Sequence, residues 1–199
     1  MRFNNLQQLV RICEEENKSI SQVMLEDQAL ETGISTDEVF RQMAEYYDVM
    51  KEAVSKGLTG DTKSRSGLTG GDAKKVADYM QRGETLLGGP AAQAMAYALA
   101  VSEVNASMGR IIATPTAGSC GIIPGVFVSA QERFGWDDER LVHGLFSAGA
   151  IGYVIANNAS ISGAEEDAKL RLDQLSAWRQ VPWSSCREER RSKPFTRLA

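Results

Sequence analysis

The sequence predicts an all-α fold, and three observations carry that prediction. Apolar residues recur three and four positions apart through most of the first 160 positions, which lines them along one face of a helix. The periodic segments are separated by Gly, Pro, Ser, Thr, Asp and Asn, residues that stop or cap helices. No stretch alternates apolar and polar residues for the length of a useful strand. The expected organisation is one compact helical domain over residues 1–165, incomplete at its C-terminus, and an aberrant tail over 166–199.

Residues 4–34 carry two short helical patterns. Leu6, Leu9, Val10 and Cys13 share one face of the first. Ser19 or Ser21 is positioned to cap the second, which runs through Val23, Met24 and Leu30 to Gly33. Ser35 and Glu38 have the spacing of a capping box for a third helix. That helix places Val39, Met43, Tyr46, Tyr47, Met50 and Val54 together and is expected to stop at Gly57. Residues 59–72, TGDTKSRSGLTGGD, read as a loop.

A helix weakened by Gly83 is expected over 73–87 and is broken by Gly88-Gly89-Pro90. Residues 91–108 form a long, Ala-rich, weakly charged run, the composition of a helix buried on most sides. Residues 109–124 read as loop or broken helix. A further helix over 126–133 ends at Gly135, and Asp137 caps a last one running to about residue 157. Charge density places residues 4–58 at the periphery and 91–157 in the core.

The net charge of −4 gives no electrostatic footprint for nucleic acid. No apolar run has the length and flanks of a membrane span. The chain opens without the pattern of a secretory signal. Three cysteines, odd in number and widely spaced, match neither a disulfide framework nor a zinc site. A cytoplasmic location is the expectation.

Three segments are crowded with small and hydroxylated residues: SRSGLTGGD at 64–72, TPTAGSCG at 114–121 and NNASISGAE at 157–165. Small residues let backbone approach backbone and leave main-chain N–H groups open to an anion. Each segment adjoins a predicted helix, whose first N–H groups suit a small carboxylate. A single Gly/Ser/Thr cluster is ordinarily a turn; three in one helical domain point to a site. His143, the only histidine, lies on a mostly apolar helix and reads as a packed residue rather than a general base. Cys120 and Cys13 read as small buried residues. The Met and Tyr residues between 39 and 54 read as core.

RSGLTGGDA, MGRIIATPTAGSCGIIPG and NASISGAE together resemble the α subunit or α domain of the iron–sulfur-dependent bacterial L-serine dehydratases, from about residue 5 to 165. The resemblance implies an all-helical catalytic domain that works with a separate β subunit. It implies conversion of L-serine to pyruvate and ammonia, assisted by a [4Fe–4S] cluster on three cysteines with one iron open as a Lewis acid. Carried onto this chain, it implies that Ser66, Thr69, Gly70, Gly71, Thr116, Ala117, Gly118, Asn158, Ser160 and Ser162 bind the substrate. It names no catalytic base.

After Glu165 the chain departs from the family pattern. The family continues with a string like GGCQAEVGSA, whose cysteine is a cluster ligand, and places two more ligands further on. This chain continues EDAKLRLDQLSAWRQVPWSSCREERRSKPFTRLA. Cys186 lies in that tail and maps to no ligand position, and Cys120 is not one either, so no residue here is assigned to a metal. Glu166 to Lys169 can be written GAG GAT GCC AAG. One G placed ahead of that string gives Gly-Gly-Cys-Gln, and allowed codons for the next fifteen residues continue as AEVGSAKRMAAGALV. The expectation is a single-base deletion just after the Glu165 codon. The family activity is then expected to be lost in this copy. The alternatives are a non-catalytic helical module for amino-acid binding or oligomerisation, and a chain that does not fold stably. The tail is expected to be poorly ordered.

Overall fold

The computed structural model describes residues 1–83, 85–114 and 116–159. The described residues hold helices and connecting loops and no strand. The helices are α1 (Leu6–Glu16), α2 (Ile20–Thr32), α3 (Thr36–Leu58), α4 (Asp72–Gln81), α5 (Gly89–Ala106), α6 (Ile122–Phe134) and α7 (Asp138–Ala159). A 3₁₀ turn, Ala117–Ser119, precedes α6. The tail and its expected disorder lie outside the described residues.

The chain divides into two units, and two helices run from one into the other. Among the described residues, a terminal unit comprises Met1–Val39 and 147–159, and a central unit comprises Phe40–Phe146. In the terminal unit, Asn5 caps α1 by accepting from Gln8 N–H. Ser19, not Ser21, caps α2 and completes a capping box with Gln22. Gly33 ends α2 in the left-handed conformation (φ +71°). Phe3, Leu9 and Val23 are fully buried there, and Phe3 meets Tyr153 edge-on at 5.6 Å. Arg2 donates to buried Asp27 and pairs with Glu16 and Glu26.

The central unit is arranged about α5, which packs against both α4 and α6. Ala92, Ala96, Ala100, Val101 and Val104 are buried along it. Small residues are the reason neighbours come so close. A Cβ on Gly121 would lie 2.2 Å from the Ala98 carbonyl oxygen, and one on Gly125 would lie 2.7 Å from that of Ala94. The pairing of 121 with 98 and of 125 with 94 makes α5 and α6 antiparallel.

Several sequence expectations need correction. Gly57 does not stop α3; the helix continues to Leu58. Gly57 is glycine because a Cβ there would sit 2.2 Å from the Ala100 carbonyl oxygen on α5. The turn to the left-handed region comes later, at Gly60 (φ +82°). The helix expected over 73–87 ends at Gln81, because Gly83 takes φ +86°. Gly89-Pro90 opens α5 rather than separating helices, since proline suits the first helical turn. The whole of 4–58 is not peripheral. Tyr47, Val49, Met50, Ala53 and Val54 on α3 are each at most 3% exposed. Charged stretches either side of that face made α3 look more solvated than it is.

Candidate functional site

Two of the three small-residue segments meet at the end of α5. The Arg65 N–H donates to the Ala106 carbonyl at 3.3 Å. The Asn105 Nδ2 donates to the Ala117 carbonyl at 2.9 Å. Adjacent residues of one helix therefore hold the 64–71 loop and the 114–119 turn, which are some fifty residues apart in the chain. The helix ends there with Met108 in the left-handed region (φ +62°), a conformation non-glycine residues adopt rarely. Gly109 follows, its N–H donating to the Val104 carbonyl at 2.8 Å.

Each loop is ordered by its own hydroxyls. Ser64 N–H donates to the Thr69 carbonyl (2.8 Å), and Thr69 N–H donates to Ser64 Oγ (3.1 Å). Ser66 Oγ shares a hydrogen bond with Ser64 Oγ at 3.2 Å. Gly70 has φ +139°, and a Cβ there would lie 2.1 Å from the Thr62 carbonyl oxygen; Gly71 has φ +85°. No other residue fits both positions. Thr116 caps the 3₁₀ turn in a reciprocal pair with Ser119, their hydroxyls 2.9 Å apart. Ser66, Thr69, Ala117 and Gly118 are exposed, and Thr116 is half-buried.

The expected anion site at the start of α4 is already filled from within. Glu103 of α5 accepts from Asp72 N–H (2.6 Å) and Ala73 N–H (3.1 Å) through Oε1. Sequence reasoning passed over Glu103 and Asn105. The available signal was that Glu103 is the one charged residue in the 91–108 run. The Thr116 hydroxyl also serves the turn, bonding Ser119 Oγ and accepting from Ser119 N–H.

Asn158 lies in the last turn of α7, and Ser160 and Ser162 lie outside the described residues.

His143 packs beside Phe40, ring centres 5.2 Å apart, in keeping with a packed residue. Cys120 is fully buried behind the turn. Cys13 is half-buried on α1, short of the core position expected. Burial, and next Glu16, push its thiol above the ordinary range, which disfavours the thiolate that a cluster iron needs. Among the described residues no three His, Cys, Asp or Glu side chains are grouped to hold a metal. The described residues therefore do not fit a three-cysteine cluster. No helix among them is long and apolar enough to cross a membrane.

The family described as "Serine dehydratase alpha chain" matches residues 15–169. The probable L-serine dehydratase alpha chain of Bacillus subtilis is 45% identical over 174 residues, covering 87% of this chain and 58% of its own length. The L-serine dehydratase alpha chain of Peptoniphilus asaccharolyticus is 33% identical, covering 88% of this chain and 60% of its own. An L-serine dehydratase of Streptomyces coelicolor is 37% identical over 82% of this chain and 36% of its own. No solved structure matches. With most of its length matched to one family, across both loops held by α5, the chain belongs to the serine dehydratase alpha chain family.

Proposed function

We propose that this chain derives from an L-serine dehydratase α chain, that its 64–71 and 114–119 loops bind L-serine, and that its reading frame is lost after Glu165. The observation that carries the binding reading is the convergence of the two loops on Asn105 and Ala106. Two glycine-bearing segments held by one helix end make a small, backbone-rich surface suited to a compact polar ligand. The named relatives are L-serine dehydratases, and the matched region contains both loops.

The frame reading is supported by the end of the family match at residue 169. It is supported also by the family-like string that one restored base brings back. In this reading residues 1–165 are the α-chain part and 166–199 are out-of-frame. The cysteines of a [4Fe–4S] cluster are then missing from this polypeptide, which binds substrate without dehydrating it. The intact enzyme would act in the cytoplasm with a β subunit, removing the elements of water from L-serine to leave an enamine that hydrolyses to pyruvate and ammonia.

Nucleotide sequencing across codon 166 tests the frame directly; an uninterrupted frame with no nearby family-like reading rejects it. Anaerobic reconstitution with iron and sulfide tests the chemistry. The 199-residue chain is expected to stay colourless and to form no pyruvate, whereas the frame-restored chain with its partner subunit gains brown absorbance and turnover. A brown, active 199-residue chain overturns the reading.

A further inference from the structure

Glu103 is 8% exposed, and a carboxylate taken that far out of water needs partners on both oxygens. Oε1 has two, the N–H groups of Asp72 and Ala73. Oε2 is buried with no hydrogen-bond partner among the described residues. Thr62, 7% exposed, repeats the pattern: its Oγ1 is buried and unpartnered. Both residues adjoin the same turn. Glu103 holds the residues that follow Gly71, and the Thr62 carbonyl oxygen touches the space beside Gly70. Buried polar atoms without partners are uncommon in native proteins and call for a ligand or a water.

The sign of the charge decides what fits. The N-terminus of α4 attracts an anion, and Glu103 supplies it, so a second carboxylate is repelled there. Nearby, Lys75 pairs with Asp72 at 2.8 Å and also feels the Glu103 carboxylate, without donating a hydrogen bond to Oε2. A primary ammonium carries three donors and one positive charge, which match one carboxylate oxygen and one hydroxyl.

We propose that Glu103 Oε2, with Thr62 Oγ1, receives the α-ammonium group of the amino-acid substrate, so that the amino end of the ligand lies at the Gly70-Gly71 turn. This rests on the amino-acid-binding reading above and adds which end of the ligand goes where.

The test compares L-serine with 3-hydroxypropionate, which keeps the hydroxyl and carboxylate but lacks the ammonium. Both are titrated calorimetrically into the full 199-residue chain and into Glu103→Gln. The glutamine retains an acceptor for Asp72 and Ala73 N–H, so helix content by circular dichroism should be unchanged. The chain itself should prefer L-serine at least tenfold, and Glu103→Gln should abolish that preference. Thr62→Val, which removes no charge, should lower serine affinity several-fold and leave 3-hydroxypropionate unaffected. A serine preference that persists in Glu103→Gln, or equal affinities for Thr62→Val and the parent chain, overturns the proposal while the binding reading stands. A parent chain that binds neither compound overturns both.

Discussion

Asp27 is 2% exposed and accepts the Arg2 backbone N–H at 2.7 Å as well as its guanidinium. Asp27→Ala removes a charged acceptor that ties residue 2 to α2, at an expected cost of about 1.5–3 kcal/mol. Urea unfolding of the two chains measures it. Nothing in the sequence pairs positions 2 and 27, since twenty-five residues separate them and neither belongs to a motif. At the other extreme, Asp138 pairs with Lys51 at 2.8 Å near the surface. The Lys51 ammonium, and next the Gln131 amide, hold the Asp138 carboxyl below its ordinary range. A lowered folded value means the pair stabilises the fold above the unfolded carboxyl's range and ceases to as acid protonates it. Asp138→Asn should therefore cost under ~1 kcal/mol at about pH 7, with the gap closing below about pH 4. Thermal melts across that range check the sign. Of the site residues, the glycines and hydroxyls were legible as motif letters. Glu103 was not, because its meaning lies in α4, which it meets from thirty residues away.

At the scale of the element, one amino acid performs two opposite jobs. Gly33, Gly60, Gly83 and Gly135 take positive φ and end or turn the chain. Gly57, Gly121 and Gly125 have ordinary helical surroundings and are glycine because another helix's backbone occupies the space of a Cβ. Gly57→Ala or Gly125→Ala should each destabilise the chain by about 1–3 kcal/mol through overpacking. Gly118→Ala should change stability by less than about 0.5 kcal/mol, because a Cβ there would meet only Thr116 Oγ1 at 3.8 Å. Denaturant midpoints for the three variants test whether close backbone approach is what excludes a Cβ at Gly57 and Gly125. This is why helix existence was readable from periodicity while the end of α3 was not. The residue letter is the same for a stop and for a close approach, and only tertiary contact separates them. Caps were the more reliable punctuation: Ser19, Ser35 and Asp137 each accept from a backbone N–H three residues on.

At the scale of the molecule, the α5–α6 pair leaves an uncharged face in the open. Met95, Ile122 and Val126 are 41%, 63% and 52% exposed. Each stands one position beyond a seam residue, Ala94, Gly121 or Gly125, and in an antiparallel pair that step turns both helices to the same side. Exposed apolar surface of this kind favours self-association. Ile122→Lys combined with Val126→Lys should make the chain more monodisperse in light scattering without loss of helix signal; unchanged association would show that this face plays no part. The helical class followed from the sequence because burial in helices leaves a period. The division at residues 39 and 146 left no mark, because it falls inside α3 and α7, where the helical pattern continues unbroken.

That division also sets an order of events during synthesis. The central unit, Phe40–Phe146, is one continuous stretch, and it contains α5 together with both loops that α5 holds. A ribosome delivers all of it before reaching codon 166, and domains emerging from the N-terminal side fold as they are made. The terminal unit must instead wait for residues from both ends of the chain. The frame loss proposed after Glu165 would therefore reach a nascent chain whose loop-bearing stretch, Phe40–Phe146, has already been translated.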